Sequence, residues 1–334
     1  MTVNQPRMLK KIGLDPFVLA LLGMIVLARL FPGPGAQEGP WSLDRLASYG
    51  VSGIFFLYGL RLSVVELAGG LKRWRLHLLV QLSCFLFFPL LVLLCKPLFV
   101  GSSWEVLWMG SFFLAALPST VSSSVVMVSI AGGNIPATIF NASISSLLGV
   151  FITPLWMQGL VRAQPGGHEL GPIVLKLVLQ VLVPVIVGML LHRWGGGFAK
   201  RHKRVLKLFD QTVILVIVYT AFSVAFEKKL FAGLTAGMLA GLLLAMTGLF
   251  WTILLFIRTV CRWLHFDRAD TITAIFCGSK KSLVHGTVLS KLLFAGNPQV
   301  AVLLLPLMLY HALQLVMASI LAGKWNREAN KQTV

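Results

Sequence analysis

Two adjacent lysines, Lys280 and Lys281, lie in Phe276-Cys277-Gly278-Ser279-Lys280-Lys281-Ser282-Leu283-Val284-His285-Gly286, with apolar or small residues on both sides. A lysine near a bilayer centre costs several kcal/mol, so intramembrane charge marks a functional site by default. The glycines beside those lysines, Gly278 and Gly286, predict a broken helix that exposes backbone polar groups to a solute. Consecutive helical positions point about 100° apart, so one ammonium is expected to face the break and the other to snorkel or pair. His285, four residues beyond Lys281, is expected to share its face, the alternative being a hydrogen-bonded core histidine. His311 and Gln314 are ambiguous in the same way.

A second polar stretch, Leu117-Pro118-Ser119-Thr120-Val121-Ser122-Ser123-Ser124, precedes a helix carrying Thr138, Asn141, Ser143, Ser145 and Ser146. Hydroxyls and freed carbonyls are the hard oxygen ligands that a small cation or a hydrogen-bonding solute needs. Small residues also let membrane helices pack closely, and most of these hydroxyls are assigned to that role. Ser123, Ser124, Thr138 and Asn141 are singled out as site-facing. The carboxylates, including Asp15, Asp44, Glu66, Glu169, Asp210, Asp267 and Asp270, all fall in loops or near span ends. A buried carboxylate is the usual proton or sodium relay of pumps and exchangers, so this distribution argues against a proton-exchanging antiporter. An ammonium could instead stand where a cation binds, or neutralise an anionic substrate directly.

The elements that must hold these groups follow from composition. The 334-residue chain is 57% hydrophobic and 12% charged, with mean hydropathy +0.85. A soluble protein carries about twice that charged fraction, which leaves an all-α polytopic membrane protein. A span needs about 20 apolar residues. Ten are expected: Phe17–Phe31, Leu46–Val65, Leu76–Leu98, Trp104–Ile130 (broken), Ile135–Leu160, Ile173–His192, Val205–Phe226, Phe231–Val260, Ala269–Leu293 (broken) and Val300–Ala322. Arg7, Lys10 and Lys11 before the first run resemble a signal peptide, but removing that helix would leave an unmatched topology, so it is read as retained.

The net charge of +18 collects in alternate loops. Lys72, Arg73 and Arg75, the stretch Arg193 to Lys207, then Arg258, Arg262 and Arg268, and finally Lys324 and Arg327 share one side with the N-terminal cluster. Both termini are therefore expected in the cytoplasm, and a bacterial inner membrane is the expected location. These loops lack aromatics suited to nucleic acid, and anionic lipid explains them more simply. No HExxH, GxSxG, Walker A or metal-ligand cluster is present, which argues against an enzyme. Cys84, Cys95, Cys261 and Cys277 lack CxxC spacing and read as free thiols.

The ten spans fall into two halves of five, 15–163 and 164–323, between tails at 1–14 and 324–334. In each half the fourth span is interrupted. Each interruption leads to a glycine–asparagine turn, Gly132-Gly133-Asn134 or Gly296-Asn297, with Pro136 or Pro298 close by. Because five is odd, such halves enter from opposite sides as an inverted repeat.

The Gly-Ser-Lys-Lys-Ser segment, with Ala131-Gly132-Gly133-Asn134 and the hydroxyl run before it, resembles the bile acid:sodium symporter superfamily over nearly the whole chain. The resemblance implies a panel domain of spans 1, 2, 6 and 7. It also implies a core of spans 3–5 and 8–10, in which broken spans 4 and 9 cross at the substrate. It places Ser123, Ser124 and Thr138 where sodium-coupled members supply oxygens, and Ala142 where a hydroxyl is expected. Phe276 stands where such members have glutamate, and Lys280 and Lys281 stand in place of Gln-Asn. These departures argue against two-sodium coupling and suggest that a lysine replaces one or both ions.

The expected function is secondary transport of a small amphipathic organic anion by alternating access. The binding set is Ser123, Ser124, Thr138, Asn141, Ser279, Lys280, Lys281, Ser282 and His285. No cofactor is expected beyond that doubtful sodium, membrane lipid is the expected surrounding, and a homodimer is an admissible assembly. The alternative is a regulatory membrane protein that modulates ion flux without moving solute.

Overall fold

The computed structural model describes residues 16–39, 41–61, 73–162 and 178–332. The tail at 1–14 with Arg7, Lys10 and Lys11, together with Asp15, Glu66, Lys72 and Glu169, lies outside the described residues. The described chain is helical, with no strand among its elements. Five helices are long and apolar enough to cross a membrane, or six if a pair bent by 94° is one span. The protein is a multi-pass membrane protein, and large side chains such as Leu190, Leu244 and Leu155 stand exposed on its helix surfaces, where lipid would cover them.

In chain order the helices are α1 (Pro16–Leu30), α2 (Leu43–Arg61), α3 (Trp74–Leu98), α4 (Glu105–Ala116), α5 (Ser122–Ala131), α6 (Ile135–Arg162) and α7 (Val178–Leu190). They continue as α8 (His192–Arg201), α9 (Lys203–Glu227), α10 (Ala236–Trp263), α11 (Arg268–Gly278), α12 (Leu283–Leu293) and α13 (Val300–Gln332). The stretch Arg193 to Lys207, expected as a basic loop, is mostly the helix α8, set at 94° to α7. Gly195, Gly196 and Gly197 conceal a helix there, since glycine disfavours one by about 1 kcal/mol per residue.

Side chains cap some of the helix starts. Asp267 accepts from the Asp270 N–H at 2.7 Å to open α11, and Thr235 accepts from Met238 at 3.2 Å to open α10. Gly132 (φ +75°) and Gly296 (φ +81°) both turn the chain through the left-handed region, which a residue with a Cβ disfavours. The two expected glycine–asparagine turns follow the broken pairs α4/α5 and α11/α12.

Packing sorts the helices into two sets. In the first, α1, α2, α7, α8 and α9 contact one another; in the second, α3 to α6 and α10 to α13 do. Helix α9 rests against α12 and α13, and Tyr58 of α2 donates to the Ser143 carbonyl of α6 at 2.8 Å. A Cβ on Gly59 would meet the Val185 carbonyl, and one on Gly188 would meet the Phe56 carbonyl, so α2 and α7 touch backbone to backbone.

Candidate functional site

Pro118 supplies no N–H, and it forces Leu117 into extended backbone (φ −74°, ψ 154°), which stops α4. The second break, Ser279 to Ser282, crosses the first, and the Ser282 N–H donates to the Pro118 carbonyl at 2.9 Å. A helix end leaves unpaired carbonyls, and a dry setting makes each one costly. At this crossing each break supplies the donors that the other lacks. Ser119 Oγ donates to the Cys277 carbonyl at 2.5 Å, and Ser124 Oγ to the Phe276 carbonyl at 3.1 Å.

Lys281 performs the converse service. Its Nζ donates to the carbonyls of Ala115 (2.7 Å) and Leu117 (2.8 Å), at the negative end of α4, and to that of Cys84 (2.7 Å). Cys84 lies in a π-helical turn, Ser83–Phe87, inside α3. The ammonium also sits 4.1 Å from the centre of the Phe88 ring. Gln314 of α13 replaces the missing helical ladder: its Oε1 accepts from the Lys281 N–H and its Nε2 donates to the Lys281 carbonyl, both at 2.8 Å. Tyr310 donates to the Ser279 carbonyl at 2.7 Å.

Both lysines are fully buried, and of the two expected alternatives, snorkelling or pairing, both take the second. Lys280 donates from Nζ to the Ser123 carbonyl at 2.9 Å. His285 does not share a face with Lys281, because α12 begins only at Leu283 and Lys281 precedes it. Its ring instead meets Ser282 Oγ at 3.0 Å and packs edge-on against Phe55 and Tyr58.

A cavity of about 370 Å³ lies beside the crossing, between the two helix sets. One wall is Phe55, Tyr58 and Arg61 of α2 with Lys207, Asp210 and Gln211 of α9. The other is Thr120, Val121 and Ser123 of the first break, Ser282 to His285 of the second, and His311 of α13. Thr120 Oγ1 and Ser123 Oγ pair at 2.7 Å on that wall. Arg61 and Asp210 form an ion pair at 2.8 Å.

Of the expected binding set, the structure brings Ser123, Ser282 and His285 to the cavity. Lys280, Lys281, Ser124 and Ser279 lie in the crossing behind it, and Ser279 Oγ bonds back to the Ile275 carbonyl. Thr138 Oγ1 donates to the Asn134 carbonyl at 2.8 Å, and Asn141 engages the Ala137 carbonyl and Gln81. Sequence reasoning missed Tyr58, Arg61, Lys207 and Gln211, and it treated Asp210 as a span-end carboxylate. A signal existed for Arg61, an arginine inside an apolar run.

Two further ion pairs flank the site. Lys291 of α12 pairs with Asp44 of α2 across the two helix sets. Arg73 pairs with Asp270, whose Oδ1 accepts from Asn134 Nδ2 at 3.0 Å. The hydrogen bond and charge of Asp270 hold the Arg73 guanidinium above its usual range.

A model of the SBF-like CPA transporter family matches residues 15–327. Over 325 residues the chain is 40% identical to an uncharacterized protein of Pseudomonas aeruginosa, covering 97% of this chain and 96% of that one. It is 36% identical to "Putative symporter YfeH" of Escherichia coli K12, over 95% of each chain. It is 30% identical to "Sodium/bile acid cotransporter 7" of Rattus norvegicus, over 94% of this chain and 93% of that one.

Proposed function

The chain belongs to the SBF-like CPA transporter family, and from that premise we propose that it moves a small amphipathic organic anion across the bacterial inner membrane by alternating access. It is a membrane transporter of the bile acid:sodium symporter type, not an enzyme. The observation that carries the finer reading is the cavity of about 370 Å³ between the two helix sets, within the range of small-molecule sites. Its walls combine aromatic rings with hydroxyls, imidazoles and the cations Arg61 and Lys207, which suits an apolar body with an anionic head. The first set acts as panel and the second as core, the two inverted repeats contributing to both.

Positive charge in the loops favours cytoplasmic termini. On that orientation Arg61 and Lys207, at the cytoplasmic ends of their helices, put the cavity mouth inside, and the Asp44–Lys291 pair closes the outer side. The Lys281 ammonium, held by three carbonyls, serves as a tethered cation, so the crossing needs no sodium to stay closed.

The test is thermal unfolding of the purified protein with a panel of amphipathic carboxylates and sulfonates, in sodium and in choline salts. Stabilisation by an anion in both salts, lost in His285→Ala, is the expected result. Stabilisation only in sodium refutes the tethered cation, and no stabilisation by any anion returns the regulatory reading.

A further inference from the structure

Among the described residues that line the cavity Asp210 is the one carboxylate, and it occupies the cation that the substrate would want. Its Oδ2 holds Arg61 Nη1 at 2.8 Å, while its Oδ1 is buried without a hydrogen-bond partner among the described residues. An anionic head cannot take Arg61 while the carboxylate keeps it. Nor can the carboxylate be released as a bare charge beside the apolar wall of Phe55 and Ile214.

We propose that Asp210 couples transport to protons: the substrate's anionic head displaces it from Arg61, and Asp210 takes up one proton from water as it lets go. The inference rests on the anion-transport reading above and adds the coupling ion. The proton adds to the Asp210 carboxylate, the Arg61 guanidinium keeps its own protons, and the substrate head stays ionised on Arg61. Charge supports the exchange. Empty, Arg61, Lys207 and Asp210 carry a net charge of one positive; loaded, with the anion bound and Asp210 neutral, the net is again one positive. A carrier that must reorient both empty and loaded then exposes the same charge in each state.

The other titratable groups that share the cavity are Tyr58 on α2, Lys207 on α9 itself, His285 on α12 and His311 on α13. Helix α8, packed against the same helix, brings His192, whose Nδ1 meets the Leu60 carbonyl at 2.8 Å, and the cations Arg193, Lys200 and Arg201. Among the described residues the ion pair of Arg61 is with Asp210.

Sulfonates discriminate, because they remain ionised throughout the working pH range and any proton taken up must fall on the protein. Binding of alkyl, aryl and taurine-conjugated steroid sulfonates to the purified protein is measured by calorimetry in two buffers of different ionisation enthalpy. The expected result is about one proton absorbed per sulfonate bound, and an affinity that falls up to about tenfold per pH unit above the titration of Asp210. Asp210→Asn should bind at least as tightly, absorb no proton and lose that dependence. Binding without proton uptake in the wild type overturns the coupling and leaves the anion reading standing. Proton uptake that persists in Asp210→Asn also overturns it, by assigning the proton to another group. Failure of every sulfonate to bind overturns both. The wild-type proton count stands alone should the variant not fold.

Discussion

Replacing Lys281 tests the idea that one ammonium holds the helix crossing together. Lys281→Met keeps most of the apolar stem and removes the donors to Cys84, Ala115 and Leu117. A hydrogen bond to a charged group contributes about 1.5–3 kcal/mol, so three amount to roughly 4.5–9 kcal/mol. Relief from burying the charge returns several kcal/mol of that. The expected net loss is about 3 kcal/mol, read as a clear fall in unfolding temperature by the fluorescence of the chain's 9 tryptophans. Lys281→Ala also opens the space that the stem filled, leaving three carbonyl oxygens around a hole. Sodium or potassium should then stabilise the alanine variant, by about 2.7 kcal/mol at a hundredfold excess over its dissociation constant. The methionine variant and the wild type should ignore the choice of cation. A methionine variant as stable as the wild type would refute the argument, since the three carbonyls would then need no donor.

Gln314→Leu strips the partners from both the N–H and the carbonyl of Lys281, and at about 1–3 kcal/mol for each buried group it should cost roughly 2–6 kcal/mol in thermal unfolding. A shift no larger than that of a surface substitution would contradict this. Asp44→Asn or Lys291→Gln should loosen the link between α2 and α12 by about 0.2–1 kcal/mol, raising outside labelling of a cysteine introduced at Val288 roughly 1.4- to 5-fold. Unchanged labelling would remove the pair from the gate. Gly188→Ala should destabilise by about 1–3 kcal/mol through the clash with the Phe56 carbonyl, whereas Gly197→Ala, with open space around it, should not; equal unfolding temperatures for the two would count against the close α2–α7 contact.

The broken helices were legible because Pro118 and the Gly278-Ser279 pair are chemical signals of interruption, and because charge inside an apolar run needs a reason. The partners of Lys281 were not legible. They are main-chain carbonyls, which every residue carries, and one of them comes from a π-helical turn whose sequence, Ser-Cys-Phe-Leu-Phe, looks like any apolar helix. The placing of His285 failed for a related reason, since i,i+4 spacing has meaning only when both residues are helical. Arg61 and Asp210 lie 149 positions apart and meet only through the packing of α2 on α9, which no local pattern announces.

The buried Lys281 ammonium also has an electrical consequence. Lys281 is part of the chain and is held by three carbonyls, so whenever the crossing shifts relative to the bilayer, its positive charge moves through the membrane field. Each elementary charge that crosses the whole field gains or loses about 2.3 kcal/mol per 100 mV. A membrane potential negative on the cytoplasmic side therefore pulls the crossing inward even when nothing is bound. On the alternating-access reading proposed above, a resting potential would favour the state open to the cytoplasm, and a current should accompany its return.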